Sequence, residues 1–197
     1  RLIPLRPGYT ESTTNPESTE IRADTTRLVD DGVSQFDGDV EVIHGNTALR
    51  AELVTYDEGS GLFTAEGRAH IWDTSMAWSG ERAIYDVNSE VSSLFDGQYW
   101  MLNGHGRGHA GNLEHHSSDD ITILRNVDYT TCPLSDEAWR MSAAKIKLNH
   151  ASARGAVTHA VLRVYDIPVF YFPYVNFPLT DARKSGFLAP SYGTNNE

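Results

Sequence analysis

From Ile21 onward, hydrophobic and polar residues alternate in short runs. Val40-Glu41-Val42, Leu49-Arg50-Ala51-Glu52-Leu53 and Ala69-His70-Ile71-Trp72 follow this rule. Alternation with period two sends successive side chains to opposite faces of a sheet, so these runs predict short strands. Turn-forming residues separate them, at Asp37-Gly38-Asp39, Gly59-Ser60-Gly61, Glu66-Gly67 and Asp96-Gly97. Ala143 to Leu148 has helical propensity, but Lys145-Ile146-Lys147-Leu148 alternates too, and no convincing helix emerges. Residues 1–20 carry Pro, Thr, Ser, Asn and Glu without periodicity and predict a flexible tail.

The runs repeat. Asp37-Gly38-Asp39-Val40-Glu41-Val42 returns as Glu66-Gly67-Arg68-Ala69-His70-Ile71, a shift of 67 − 38 = 29 residues. At the same shift Ala51-Glu52-Leu53-Val54-Thr55-Tyr56-Asp57 becomes Gly80-Glu81-Arg82-Ala83-Ile84-Tyr85-Asp86. A half-copy at Ala23-Asp24 with Leu28 precedes these units, and a worn copy begins at Phe95-Asp96-Gly97. A fixed period of this length means stacked units, none of which buries its apolar face alone. The predicted fold is all-β: a repetitive twisted β-jellyroll of two facing antiparallel sheets with an open groove, or a folded-over sheet open along one side. Such a stack ends in exposed strand edges, which invite strand addition by a partner.

Near residue 160 the texture changes. Ile167-Pro168-Val169-Phe170-Tyr171-Phe172-Pro173-Tyr174-Val175-Asn176-Phe177-Pro178-Leu179 is rich in aromatics, with a proline at every fifth position. Proline donates nothing to a ladder, so this segment reads as an edge or poorly paired strand. Its aromatic density suits a membrane interface, or equally a cover over the bottom of the domain.

Composition narrows the functions. Hydrophobic residues are 40% and charged residues 22%, as in a globular chain with a core. A net charge of −11 leaves no dominant basic face for phosphate backbones, which argues against nucleic acid as a partner. No apolar run approaches the 18 or so residues of a membrane-spanning helix, and no charged-then-apolar leader opens the chain. A cytosolic chain and a processed one both fit. His105, His109, His115 and His116 are the only metal-like group, and their Gly-rich and Ser/Asp surroundings read as loop. A metal hydrolase built on them is the enzymatic alternative. No nucleophile-elbow, zinc-protease or phosphate-loop pattern is present, so no catalytic residue, metal ligand or cofactor is assigned. Cys132, the single cysteine, cannot form an internal disulfide and is either a small core side chain or one half of an external bridge.

Three stretches carry a family resemblance. Val169-Phe170-Tyr171-Phe172-Pro173-Tyr174, Phe177-Pro178 and Asp181-Ala182-Arg183-Lys184-Ser185-Gly186-Phe187-Leu188-Ala189-Pro190 resemble the start of the barrel in the outer-membrane lipopolysaccharide-assembly (LptD, OstA-like) family. Tyr129-Thr130-Thr131-Cys132-Pro133 with Trp139, and the repeat itself, are similar to the same family, so the match covers residues 21–197. The resemblance implies a flexible tail at 1–20, a periplasmic OstA-like β-jellyroll at 21–160, and at 161–197 the connection and first strand region of an outer-membrane β-barrel. It implies lipopolysaccharide as cargo, received from a periplasmic bridge protein by edge-strand addition and passed to the barrel. It also implies a plug lipoprotein inside that barrel, the outer membrane around it, and a location on the membrane's periplasmic side.

Under this resemblance Val40, Val42, Leu49, Leu53, Ile71, Trp78 and Ile84 are groove or core positions; strand parity alone does not separate the two. Cys132 pairs with a cysteine of the distant barrel, and Pro168, Pro173, Pro178 and Pro190 weaken the seam where the barrel opens sideways. A structural scaffold that docks through its strand edges, and a bridge-type lipopolysaccharide-binding protein, remain the alternatives.

Overall fold

The computed structural model describes residues 19–44, 46–73, 76–102, 106–135 and 137–179. Pro190 and His105 lie outside them. Among the described residues twelve strands follow one another without a helix: β1 (Thr19–Arg22), β2 (Thr25–Asp30), β3 (Val33–His44), β4 (Thr47–Asp57), β5 (Leu62–Trp72) and β6 (Met76–Asp86). They continue as β7 (Val91–Met101), β8 (Arg107–His116), β9 (Ile121–Tyr129), β10 (Trp139–Asn149), β11 (Arg154–Val164) and β12 (Ile167–Pro178). From β2 onward each strand pairs antiparallel with the next in the chain, and β1 also pairs with β3, so that β1 and β2 form two halves of one edge. The ladder is one continuous twelve-stranded sheet rather than two separate ones. Ala143 to Leu148 falls within β10, as its alternation indicates.

Most strands from β3 onward are 9 to 12 residues long, and they bend at their middles. The bend is a backbone event. Gly38 and Asp39 (φ +79° and +45°) and Gly67 and Arg68 (+75° and +54°) adopt left-handed conformation. Asp96 (+46°), Asn126 (+49°) and His159 (+52°) do the same in β7, β9 and β11. Ladder pairing slips or skips at each of these places. A left-handed residue interrupts the pleat, so side chains on both arms of the strand can point to the same side. Interior residues lie three apart across the corner, both where a left-handed residue sits between them, as in Leu124 and Val127 or Val157 and Ala160, and in the intervening strands that follow the bend without one, as in Ala51 and Val54, Ala110 and Leu113, and Ala143 and Ile146. Residues from both arms of nearly every strand join a single buried cluster.

A second series of left-handed residues closes the turns at one end of the sheet: Gly32 (+82°), Gly61 (+72°), Glu90 (+54°), Asp120 (+51°) and Ala153 (+50°). Each offers its carbonyl to the next turn. Glu58 N–H donates to Gly32, Val87 to Gly61, Ser117 to Glu90, His150 to Asp120 and Leu179 to Ala153, at 2.8 to 3.0 Å. The repeat thus places two left-handed positions in every unit, six or seven residues apart, through β11. Glycine fills the early turn positions and side-chain-bearing residues the later ones. Asp57 and Asp86 also cap their turns, accepting from Ser60 and Ser89 hydroxyls at 2.7 Å.

Among the described residues β12 is hydrogen-bonded to β11 alone and forms the outermost strand, with Pro168, Pro173 and Pro178 along it. Most of its aromatic side chains are exposed.

A left-handed residue with a side chain costs about 1 kcal/mol relative to glycine. Glu90→Gly is expected to raise unfolding stability by about that much, while Gly61→Ala lowers it. Urea titration of both variants checks the pair.

Candidate functional site

The interior is built from cross-strand rows, each one residue wide. One begins at Ile21, opposite Val42, and passes through Leu49, Ile71, Trp78 and Tyr99 to Gly108, each opposite the next. It resumes at Tyr129 and runs through Met141 and Leu162 to Phe170. Every side chain in it is apolar or aromatic. Val42, Leu49, Ile71 and Trp78, four of the positions singled out from sequence, are consecutive members of this row.

Nearer the corner the next row is small: Val40, Ala51, Ala69, Gly80, Gly97, Ala110, Val127, Ala143 and Ala160. Bulk is unwelcome where two strand arms converge. Trp78 uses this space, lying fully buried with its indole across Gly80 and Gly97, where a Cβ would collide with the ring. Its Nε1 has no hydrogen-bond partner. Tyr99, next in the row, reaches over Gly108 and donates its hydroxyl to the Asp128 carbonyl at 2.8 Å. Burial pushes the Tyr99 phenol well above its ordinary range.

On the other arm, Phe36, Val54, Ala65, Ala83, Leu94, Leu113, Leu124, Ile146, Val157 and Val175 form an unbroken apolar row. Beyond it, next to the stitched turns, the last interior row reads Tyr56, Phe63, Tyr85, Ser92, His115, Thr122, Leu148, Gly155 and Phe177.

Two of the seven sequence positions fall on the other face. Leu53 is opposite Asp37 and Glu66, and Ile84 is opposite Thr64 and Ser93; both are half-buried and outside the main cluster. Counting by twos from Leu49 or from Trp78 runs through the corner, where the interior face advances by three. Val54 and Ala83 take the interior places instead. Val40 belongs to the corner row and is fully buried.

At the opposite ends of the strands, the loop after β9 carries Cys132 and is pinned from three sides. Arg107 Nε donates to the Cys132 carbonyl at 3.1 Å. The buried Thr130 hydroxyl donates to the Trp139 carbonyl at 2.6 Å and accepts from the Cys132 N–H at 3.0 Å. Glu137 and Arg140 form a two-pronged pair at 2.7 and 2.8 Å. That pairing holds the Glu137 carboxyl below its usual range and the Arg140 guanidinium above its own.

The histidines do not form one group. His109 bonds Asp96 at 2.8 Å, whereas His115 bonds Thr122 on the interior face. Among the described residues, no three His, Cys, Asp or Glu side chains come together as a ligand set for a metal ion.

An all-antiparallel β-stack with a continuous apolar interior and two open strand edges is the class this geometry defines. The sequence profile described as "LptA/(LptD N-terminal domain) LPS transport protein" matches residues 20–154, so the chain belongs to that family. The LPS-assembly protein LptD of Hahella chejuensis is 34% identical over 189 residues, 95% of this chain and 23% of that protein. The LptD of Nitrosococcus oceani is 33% identical over 175 residues, 89% of this chain and 24% of that protein. The chain therefore spans about a quarter of the length of these curated relatives. Among solved structures, LptH of Pseudomonas aeruginosa, "the LptA homologous periplasmic component of the conserved lipopolysaccharide transport device", superposes with a TM-score of 0.50. It shares 19% identity and covers 59% of this chain and 96% of its own, a likeness of fold.

Two outcomes are expected. Gly97→Ala, which sets a methyl group against the buried Trp78 ring, should cost about 2 kcal/mol in urea unfolding. Stability should also fall with acid. Burial is the main cause lowering the pKa of both His70 and His115; Arg68 and Arg50 add to it at His70, and His150 at His115. Below the ordinary histidine value of 6.5 the unfolded chain takes up protons that the folded chain resists. The urea midpoint should drop between pH 7.5 and 5.5, and His115→Gln should flatten that drop.

Proposed function

We propose that this chain conducts lipopolysaccharide along its apolar interior, as the periplasmic portion of an outer-membrane lipopolysaccharide translocon. The observation that carries the reading is the row from Ile21 to Phe170, apolar from one strand edge to the other. In this reading the two arms of the bent sheet face each other as a jellyroll, open along one side. Burial of each acyl methylene contributes about 0.8 kcal/mol, so a lipid chain needs no fixed polar contact to be held. The acyl chains occupy the interior while the head group stays in water.

The cargo enters at the β1/β2 edge, where Leu28 and Val29 are exposed and a periplasmic bridge protein adds a strand. It leaves past β12 into a barrel that holds the plug lipoprotein, for insertion in the outer leaflet. Residues 21–160 form the conducting jellyroll and residues 161–197 lead into the barrel. Cys132, on its pinned loop, ties the two domains through a barrel cysteine. Pro168, Pro173, Pro178 and Pro190 lower the cost of opening the barrel seam, because each removes a ladder donor.

A second reading has one observation in its favour. Trp78 is fully buried, so at that rung the interior is filled by the protein's own side chains. A β-scaffold that only joins the bridge to the barrel would look the same there.

Site-specific photo-crosslinking in cells making the full-length protein distinguishes the two. A photoreactive residue at Ile71, inside, should capture lipopolysaccharide, and one at Ile84, outside, should not. Protein adducts along β2, with no lipid adduct at Ile71, would replace the conduit with the scaffold.

A further inference from the structure

The outer face of the sheet carries an apolar row of its own. Beside Val42, Leu49, Ile71, Trp78 and Tyr99, and turned the other way, stand Ile43, Ala48, Trp72, Ala77 and Trp100, each opposite the next. Ala48, Trp72, Ala77 and Trp100 form a buried cluster separate from the interior one. Trp72 is 2% exposed and Trp100 9%. His70, two residues before Trp72 and on the same face, sets its ring near that indole, with centroids 5.8 Å apart. Its Nδ1 is shut off from water without a hydrogen-bond partner among the described residues.

Two buried indoles on the outside of a sheet need a cover. Each withdraws about 150–250 Å² from water when enclosed, and left bare the pair would be an exposed apolar patch. The described strands do not supply the cover, because all twelve belong to the one sheet and its other face is the interior. Among the described residues no partly buried apolar side chain packs against this cluster, whereas the interior cluster is ringed by them. Residues 45, 74–75, 103–105 and 136 hold no large apolar side chain. The two terminal segments, 1–18 and 180–197, are left.

The first has the better position. Leu2, Ile3, Leu5 and Tyr9 are the large apolar residues before Ile21, and Thr10 to Glu20 contains none. The pattern is an apolar anchor on a polar tether. Thr19 opens β1 opposite His44, one residue past the Glu20–Ile43 pair that extends the patch row. The chain thus enters the sheet at the strand ends where the patch lies. Trp72 is three strands from β1, about 14 Å at the usual strand spacing. The stretch from Tyr9 to Thr19 reaches up to about 33 Å when extended. Phe187 and Leu188, the apolar pair of the other segment, continue from β12. That strand ends at the stitched turns, on the opposite arm, and stands five strands beyond β7.

We propose that the outer face formed by Ala48, Trp72, Ala77 and Trp100 is the seat of the chain's own N-terminal anchor, Leu2, Ile3, Leu5 and Tyr9. The seat is independent of the lipid-conduit reading, since it lies on the face turned away from the interior. Its consequence is at the sheet edge. An anchor seated there crosses the outside of β3 and β4 and fastens β1, a strand of four residues. β2, exposed along its whole length, is then the half of the edge left open to a partner strand.

The test reads the indole N–H signals of the full chain by NMR while an uncharged soluble nitroxide is added. Trp72→Phe and Trp100→Phe assign the two signals. In the intact chain both should resist broadening, as the interior Trp78 does. In Ile3→Ser/Leu5→Ser both should broaden several-fold more, with Trp78 unchanged as the sign that the fold persists. Phe187→Ser/Leu188→Ser should leave all three as they were. Exposure of Trp72 and Trp100 only in this second variant makes the C-terminal segment the cover and overturns the proposal. Protection that survives both variants overturns it too, because the strands then cover their own rings. Broadening already present in the intact chain removes the need for a cover. Protection that fades on dilution replaces the anchor with a second copy of the chain. Either result also overturns the assignment.

Discussion

Left-handed backbone at the middle of a strand is the constraint on which this structure depends. A regular antiparallel sheet of this size would have two faces and nothing to bury either against. At Gly38-Asp39, Gly67-Arg68, Asp96, Asn126 and His159 the pleat is broken, and the apolar side chains of both arms reach one cluster. The hydrophobic gain of that cluster supports conformations that cost about 1 kcal/mol at each residue with a side chain. Local strain and global burial are therefore the same design: remove the corner and the interior ceases to exist.

The corner also sets the interior's shape. Small residues occupy the row beside it because the arms converge there, and larger ones fill the rows farther out. Trp78 and Tyr99 extend from the outer row over glycines, which lets two large rings fit in a narrow space. They differ in one respect. Tyr99 has its hydroxyl tied to the β9 backbone, while the Trp78 N–H is buried with no partner. The rung where the interior is most tightly filled is thus held by packing on one side and by a hydrogen bond on the other.

Much of this was legible in the residues. The 29-residue shift, the alternation and the glycine corners give strands, repeat and fold class, and the prolines of 167–179 give an outer strand, which is β12. The fourth and fifth corners were not legible, because Asn126 and His159 stand where glycine would have advertised them. The same blindness misassigned Leu53 and Ile84. Parity is a local rule, and a corner inside the counted interval changes the answer by one. His115 was visible only as a member of a histidine group. Its true partners, Thr122 and His150, lie 7 and 35 residues away in sequence and meet it only through the register of β8, β9 and β10.

The turns at the stitched end have a different consequence. Each is joined to the next by a main-chain N–H and a main-chain carbonyl, from Gly32 through to Leu179. These five links are main-chain only, and Asn88 Nδ2 adds a side-chain donation to the Ser60 carbonyl of the preceding turn at 2.8 Å. Exposed turn residues other than the capping Asp57 and Asp86, the bridging Asn88 and the left-handed glycines are therefore at liberty to diverge between lineages, in charge and in size, without loosening the seam. Proline is excluded as well at Glu58, Val87, Ser117, His150 and Leu179, where it would remove the donor. That end of the domain can serve as an evolutionary variable region whose chemistry drifts while its geometry is inherited.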